Sequence, residues 1–135
     1  MNKLTWDEVY DTHIPSIDRQ HRKLFDFINE LDAILSRGSL GHELSMSIMM
    51  LTTYVKAHFK YEELLLKKFH YPDMSQHLAA HKQWFQDIEK YKHSIDLREE
   101  HAAEYFLMFL REWFIFHVLA DDQQYALFLL EQGVD

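Results

Sequence analysis

Apolar residues recur in steps of three and four along four long stretches of the chain, which is the spacing of one buried helix face. These stretches predict helices at about residues 16–37, 41–70, 72–93 and 96–130, preceded by an irregular arm, residues 1–15. The 135 residues suit one domain with one core. Because the links between helices are short, we predict an all-α fold, an antiparallel up-down-up-down four-helix bundle.

Local signals set the expected helix ends. Ser16 is a suitable N-cap for the first helix, and Pro72 can open the third, because the first turn needs no backbone donor. Asp96 with Glu99 three residues later resembles a capping box, which would start the fourth helix. The aromatic residues of the arm are expected to pack over one end of the core.

Six polar residues interrupt the otherwise apolar stripes of the four helices. They are five histidines and one glutamate: His21, His58, Glu62, His77, His81 and His117. An unpaired buried carboxylate costs several kcal/mol, and each unsatisfied imidazole adds about 1–3 kcal/mol. Together these costs would exceed the typical net stability of a domain, about 5–15 kcal/mol. The pattern therefore predicts metal ions as compensating partners.

Position along the bundle supports this interpretation, because all six residues fall at similar heights when neighbouring helices run in opposite directions. The pairs His58/Glu62 and His77/His81 have i,i+4 spacing and share one helix face. A second carboxylate is available after His117, but spacing alone leaves Asp121 and Asp122 open. The other five histidines are interpreted as surface or turn residues: His13, His42, His70, His93 and His101.

Composition excludes several function classes. The formal charge is −8, so nucleic acid and anionic membrane surfaces are unfavourable partners. The absence of cysteine excludes disulfides, thiolate metal sites and cysteine nucleophiles. No stretch is apolar enough for a membrane span, and the first residues lack the apolar run of a signal peptide. We therefore expect a cytoplasmic protein that does not insert into membranes.

Imidazole and carboxylate ligands without thiolate suit iron, zinc, manganese or copper. The H-E-x-x-H motif of zinc hydrolases does not occur, and no histidine follows a glutamate by three residues as in ferritin-like di-iron enzymes. A site with five neutral imidazoles and two carboxylates should restrain high-valent oxidation chemistry. It should also keep ferrous iron accessible.

The sequence resembles the bacterial hemerythrins over nearly its whole length. The matching segments are Ile17-Asp18-Arg19-Gln20-His21, His58-Phe59-Lys60-Tyr61-Glu62-Glu63, His77-Leu78-Ala79-Ala80-His81 and Trp113-Phe114-Ile115-Phe116-His117-Val118, followed by Asp122. All seven ligand positions of the family are filled, with the same residue types, order and spacing.

The resemblance implies a centre of two iron ions, cycling between Fe2+ and Fe3+ and bridged by a solvent-derived oxygen. Three histidines would complete the coordination of one iron. Two histidines would bind the other iron, which would keep one open position for dioxygen. The implied ligands are His77, His81 and His117 for the first, His21 and His58 for the second, and bridging Glu62 and Asp122. The resemblance thus selects Asp122 over Asp121, and a local helix distortion would align it.

The resemblance also implies a tight apolar pocket around the dioxygen site. Its expected lining is Leu24, Phe59, Trp113, Phe114, Val118 and Leu119. Phe114 stands where many family members carry a smaller aliphatic residue. Tyr125 follows Asp122 by three residues and is expected to hydrogen-bond to a bridging carboxylate.

The function so implied is reversible dioxygen binding, for oxygen storage, transport or delivery, without enzymatic turnover. The recipient would be an oxygen-consuming enzyme or a membrane oxidase. The alternatives are an oxygen or redox sensor acting through a partner protein, a di-iron oxidase, peroxidase or nitric oxide reductase, and iron handling without gas chemistry.

Overall fold

The computed structural model describes residues 3–134 and consists of four long antiparallel helices. The fourth is continuous but contains a π-helical segment, His117–Asp122, between two α-helical parts. The α-helices are α1 (Pro15–Ser36), α2 (His42–Lys68), α3 (Met74–Asp96), α4 (Ala102–Phe116) and α5 (Gln123–Glu131). The expected all-α four-helix bundle is confirmed. Within the described range no helix is both long and apolar enough to cross a bilayer.

The first three helices end within a few residues of the expected positions. α1 begins at Pro15, whose fixed φ and missing donor suit the first turn, so Ser16 is already helical rather than a cap. Pro72 and Asp73 form the turn before α3, which starts at Met74 instead of at the proline.

The expected start of the fourth helix near Asp96 is wrong. α3 continues through Asp96, and α4 begins only at Ala102. The chain reverses between them with Arg98 and His101 in the left-handed region, at φ values of 56° and 59°. A non-glycine residue rarely adopts this conformation, so the sequence carries no obvious turn signal here and the capping-box pattern is misleading.

The described part of the arm, residues 3–14, is irregular apart from one 3-10 turn at Glu8–Tyr10. Trp6 and Tyr10 pack against Phe25 of α1, with ring centroids 5.4 and 5.1 Å from its ring. Ile14, at the end of the arm, is fully buried. The expected arm also includes residues 1 and 2, which lie outside the described residues.

The apolar core consists of two separate clusters along the bundle. The larger one fills most of the interior and includes Leu31, Leu51, Ile88 and Leu110, all fully buried. The smaller one lies at the end of the bundle where α1 begins and α2 ends: Ile14, Ile17, Leu66, Tyr71, Tyr125, Ala126 and Leu129. The two clusters are not continuous, because a layer of polar side chains lies between them.

Candidate metal centre

The polar layer consists of seven side chains from all four helices of the bundle. They are His21, His58, Glu62, His77, His81, His117 and Asp122, each no more than 5% exposed. Along every helix these residues lie between members of the two apolar clusters: on α1, for example, His21 lies between Ile17 and Leu24. The structure therefore brings together all seven residues that the sequence analysis singled out, in a site sealed by hydrocarbon on both sides.

The seven side chains form two groups that share Glu62. One group comprises Glu62, His77, His81 and His117, and the other His21, His58, Glu62 and Asp122. Within each group, one ligand atom from every residue lies within 4.8 Å of the others. This spacing is compatible with one metal ion in each group.

Glu62 presents one carboxylate oxygen to each group. Its Oε1 lies 3.4 Å from Nε2 of His77 and 3.2 Å from Nε2 of His81. Its Oε2 lies 3.0 Å from Nε2 of His58 and 3.6 Å from Nε2 of His21. A carboxylate placed in this way can bind one ion with each oxygen.

Asp122 is placed in the same way between the two groups. Its Oδ1 lies 2.9 Å from Nε2 of His117, and its Oδ2 lies 2.7 Å from Nε2 of His21. Asp122 therefore also directs one carboxylate oxygen at each half.

Most of these donor atoms are close together without forming hydrogen bonds. Within residues 3–134, no hydrogen-bond partner is found for Nε2 of His21, His58, His81 and His117 or for either carboxylate oxygen of Asp122. Unpaired buried polar atoms are costly and uncommon in proteins. Cations that bind imidazole and carboxylate lone pairs would remove this cost. The residues thus fit a two-metal centre.

The π-helical segment brings His117 and Asp122 into the same layer. These residues are five positions apart, a separation that a regular α-helix does not place on one face. A π-helix closes its hydrogen bonds between residues five apart, so both side chains turn inward. The expected helix distortion is confirmed. Asp121 instead lies at the surface, with 42% of its side chain exposed.

Three of the histidines are held from outside by a side chain at Nδ1. Gln20 contacts His58, Glu63 lies 2.9 Å from His81, and Asp121 lies 3.1 Å from His117. With carboxylate partners, Nδ1 is the protonated nitrogen that donates, so the Nε2 lone pair points into the layer. This role of the three partners was not predicted from the sequence, although each is the direct chain neighbour of a ligand position.

Tyr125 donates a hydrogen bond of 2.6 Å to Oε2 of Glu62. This contact confirms the expected hydrogen bond from Tyr125 to one of the two carboxylates of the layer. Burial, followed by the charges of Asp122 and Glu62, raises the pKa of the Tyr125 phenol well above its usual value. The phenol therefore stays protonated and keeps its role as a donor.

In the metal-free layer, the neighbouring imidazoles lower the pKa of both carboxylates, and the carboxylates in turn act on the imidazoles. Burial alone would lower the pKa of His21, but the charges of Asp122 and Glu62 outweigh it and raise this pKa to about 9. For His58, burial prevails and lowers the pKa. Burial opposes ionisation of Glu62, yet the surrounding imidazoles, His58 first, hold its pKa well below the usual value. Glu62 therefore carries its charge at neutral pH.

An aromatic wall closes the side of the layer facing the larger cluster. The ring of Phe59 stacks on His81 with centroids 3.7 Å apart, and Trp113 stacks on His117 at 4.3 Å. Leu24, Phe114 and Val118 are each 1% exposed.

Leu119 does not fit the expected pocket, because it is 37% exposed. It follows His117 by two positions, which places it roughly half a turn around the helix axis from a residue that points inward. The expectation that it lines the pocket is therefore corrected. The other five histidines, which were interpreted as surface or turn residues, are all exposed: His13, His42, His70, His93 and His101.

Comparisons with known proteins agree with this geometry. The family described as "Hemerythrin HHE cation binding domain" matches residues 12–129. A hemerythrin-like protein of Naegleria gruberi is 31% identical over 120 residues, covering 89% of this chain and 88% of its own. The bacteriohemerythrin of Methylococcus capsulatus is 29% identical over 130 residues, covering 93% and 96%.

Solved structures with the same fold include two mutants. The crystal structure of a hemerythrin with a leucine-to-tyrosine substitution has a TM-score of 0.83 and 27% identity, covering 93% of this chain and 96% of that one. The structure of a leucine-to-phenylalanine mutant gives the same TM-score and coverage at 28% identity.

Proposed function

Because the chain belongs to the hemerythrin family, we propose that its buried layer holds two iron ions and binds dioxygen reversibly, for storage, transport or delivery. The proposed ligands are the seven buried residues of the polar layer. Two ferrous ions would each supply one electron to bound dioxygen, and the same electrons would return on release.

The observation that carries this proposal is the unequal division of donors between the two halves. The half with His77, His81 and His117 has five protein donors when one oxygen each from Glu62 and Asp122 is included. The half with His21 and His58 has four. The first half would thus hold its ion with one more protein donor than the second half. The second half would keep one position for a gas molecule.

The surrounding residues orient the ligands before any ion arrives. Glu63 and Asp121 fix the rings of His81 and His117, and Gln20 fixes His58. Tyr125 fixes Glu62. Ligands held in this way lose little conformational freedom when they bind metal. Removing such an orienting residue typically weakens metal affinity about 10–100-fold.

The apolar wall supports binding rather than turnover. Phe59 and Trp113 cover two of the histidines, and Phe114 is buried beside Trp113, with ring centroids 5.1 Å apart. Such a wall excludes water and the protons that would consume reduced oxygen. The proposed setting is the cytoplasm, where an oxygen-consuming enzyme or a membrane oxidase would receive the gas.

Gas binding can be tested with the ferrous protein prepared without oxygen. Exposure to air should produce a visible charge-transfer band, and removal of oxygen should abolish it over repeated cycles. Loss of the signal in the first cycle would argue against a carrier. Turnover assays with hydrogen peroxide and nitric oxide would distinguish the enzymatic alternatives.

The ligand assignment can be tested by replacing one buried and one exposed histidine in separate variants. His58→Ala should lower the iron content from two ions per chain, because it removes a donor from the half that has fewer. His93→Ala, at an exposed position on α3, is the matched control and should retain both. Equal iron content in the two variants would contradict the assignment.

A further inference from the structure

His77 is the least buried of the seven residues in the polar layer, at 5% exposure against 2% or less for the others. Directly outside it lies a surface cavity of about 50 Å³, which has room for a water molecule or an ion of similar size. The cavity is lined by Tyr71, Asp73, Gln76, His77, Asp121 and Gln124. The wall between solvent and the metal centre is therefore thinnest at His77.

The ring of His77 also lacks the side-chain partner that three other histidines of the layer have at Nδ1. His58, His81 and His117 each have a side-chain partner at Nδ1, as described above. No such partner is found for Nδ1 of His77 within residues 3–134, while its Nε2 faces Glu62 at 3.4 Å. The ring of His77 therefore lies between the cavity and the centre, with Nε2 facing Glu62 and Nδ1 without a side-chain partner among the described residues.

The cavity has a negative potential. Asp73 has no lysine or arginine within ion-pair distance among the described residues, and the basic partner of Asp121 there is His117, whose Nδ1 lies 3.1 Å away. Burial and these two carboxylates, together with Asp122, raise the pKa of the Tyr71 phenol at the cavity wall. Gln124 contributes an amide that donates a hydrogen bond of 3.4 Å to Asp73. Carboxylate and amide oxygens are typical ligands for hydrated divalent cations.

We propose that this cavity is a loading site, at which a divalent cation binds to Asp73 and Asp121 before the ring of His77 transfers it to the buried centre. The inference rests on the proposed function, since the cation in the cell would be ferrous iron. The step is a ligand exchange without electron transfer: the ion gives up water molecules for carboxylate oxygens, and then for imidazole nitrogen.

The test follows uptake of ferrous iron by metal-free protein under nitrogen, in a stopped-flow instrument. Tryptophan fluorescence is the readout, because Trp113 stacks on His117 and iron binding should quench it. Asp73→Asn should slow uptake about tenfold, in the range expected for electrostatic guidance of an ion. Asparagine preserves the shape and the helix-capping preference of the residue before α3.

Two further variants separate guidance from structural damage. Gln124→Glu adds a carboxylate to the same cavity and should accelerate uptake. Glu89→Gln removes an exposed charge on the same helix, about 24 Å from Asp73 at 1.5 Å per residue. It should load at the wild-type rate. Added salt should slow the wild type more than Asp73→Asn.

The outcomes separate the loading site from the metal centre. Slow uptake in Asp73→Asn, ending at the wild-type iron content, would support the site. Equal rates in Asp73→Asn and Glu89→Gln would overturn it, and so would a Gln124→Glu variant no faster than wild type. If wild-type protein never reaches two irons per chain, the proposed function itself fails, whatever the rates.

Discussion

The larger apolar cluster and the polar layer are built on the same four helices but have opposite requirements. In the cluster, residues such as Leu51 and Leu110 are fully buried and need no partner other than hydrocarbon. In the layer, His21 and Asp122 are equally buried, yet their polar atoms remain without hydrogen bonds. The first region needs no partner, whereas the second has the donor set of a cation site.

The comparison shows how a small bundle can tolerate a costly site. Burial of apolar surface contributes about 25 cal/mol per Å² and requires no cofactor. It therefore suffices to assemble the helices and to hold the donors in place. The metal ions would then offset the cost of the layer, so stability and ion binding are divided between two regions of one core.

Removal of iron should produce the largest effect and should affect the two regions differently. A ligand that binds only the folded state at a thousand times its Kd stabilises by about 4 kcal/mol. The free energy of unfolding, measured by urea titration under nitrogen, should fall by at least this amount without iron. Amide exchange should accelerate around His21 and His117 more than around Leu51. Equal acceleration of amide exchange in the layer and in the larger cluster would contradict a division of stability and ion binding between the two regions.

Leu51→Ala should destabilise the larger cluster by about 2–5 kcal/mol, the usual cost of truncating a fully buried leucine. The loss should be the same with and without iron, and iron content should remain unchanged. Leu64→Ala on the same helix is the matched control, because Leu64 is 59% exposed. A large loss of iron in Leu51→Ala would show that the two regions are coupled.

The pH dependence of the metal-free protein should reveal the layer directly. The pKa of His21 is raised to about 9 in the folded state. Its contribution to stability is therefore fully present below the unfolded value of 6.5 and is lost as pH rises through 9. We expect a loss of about 3 kcal/mol over this interval. The iron-loaded protein should not show it, because iron binds the neutral imidazole.

Much of the fold was predictable because it depends on periodicity. The apolar periodicity of the first three helices predicted their ends to within a few residues. The start of α4 was not predictable, since Asp96 and Glu99 offer a capping pattern while the chain actually turns at Arg98 and His101. Left-handed conformations at non-glycine residues depend on tertiary packing, which periodicity does not reveal.

The layer was predictable because polar residues at buried helix positions are rare and costly. Spacing alone could not decide between Asp121 and Asp122, because the answer depends on the π-helical segment. The roles of Gln20 and Glu63 were missed for another reason. Both lie beside the seam, where a polar residue is ordinary, and only the crossing of the helices brings them to His58 and His81.

Tyr125→Phe should give the smallest effect, and it distinguishes orientation from coordination. The substitution removes only the phenol hydroxyl that donates to Oε2 of Glu62. Because a buried acceptor then loses its partner, the free energy of unfolding should fall by about 1–3 kcal/mol without iron. With iron bound, Oε2 would have the ion as partner, so the loss should be smaller and both irons should remain. Tyr105→Phe, at an exposed position, is the control and should change neither value. If Tyr125→Phe loses as much iron as His58→Ala is expected to lose, the Tyr125 hydroxyl is needed for metal binding and does more than orient Glu62.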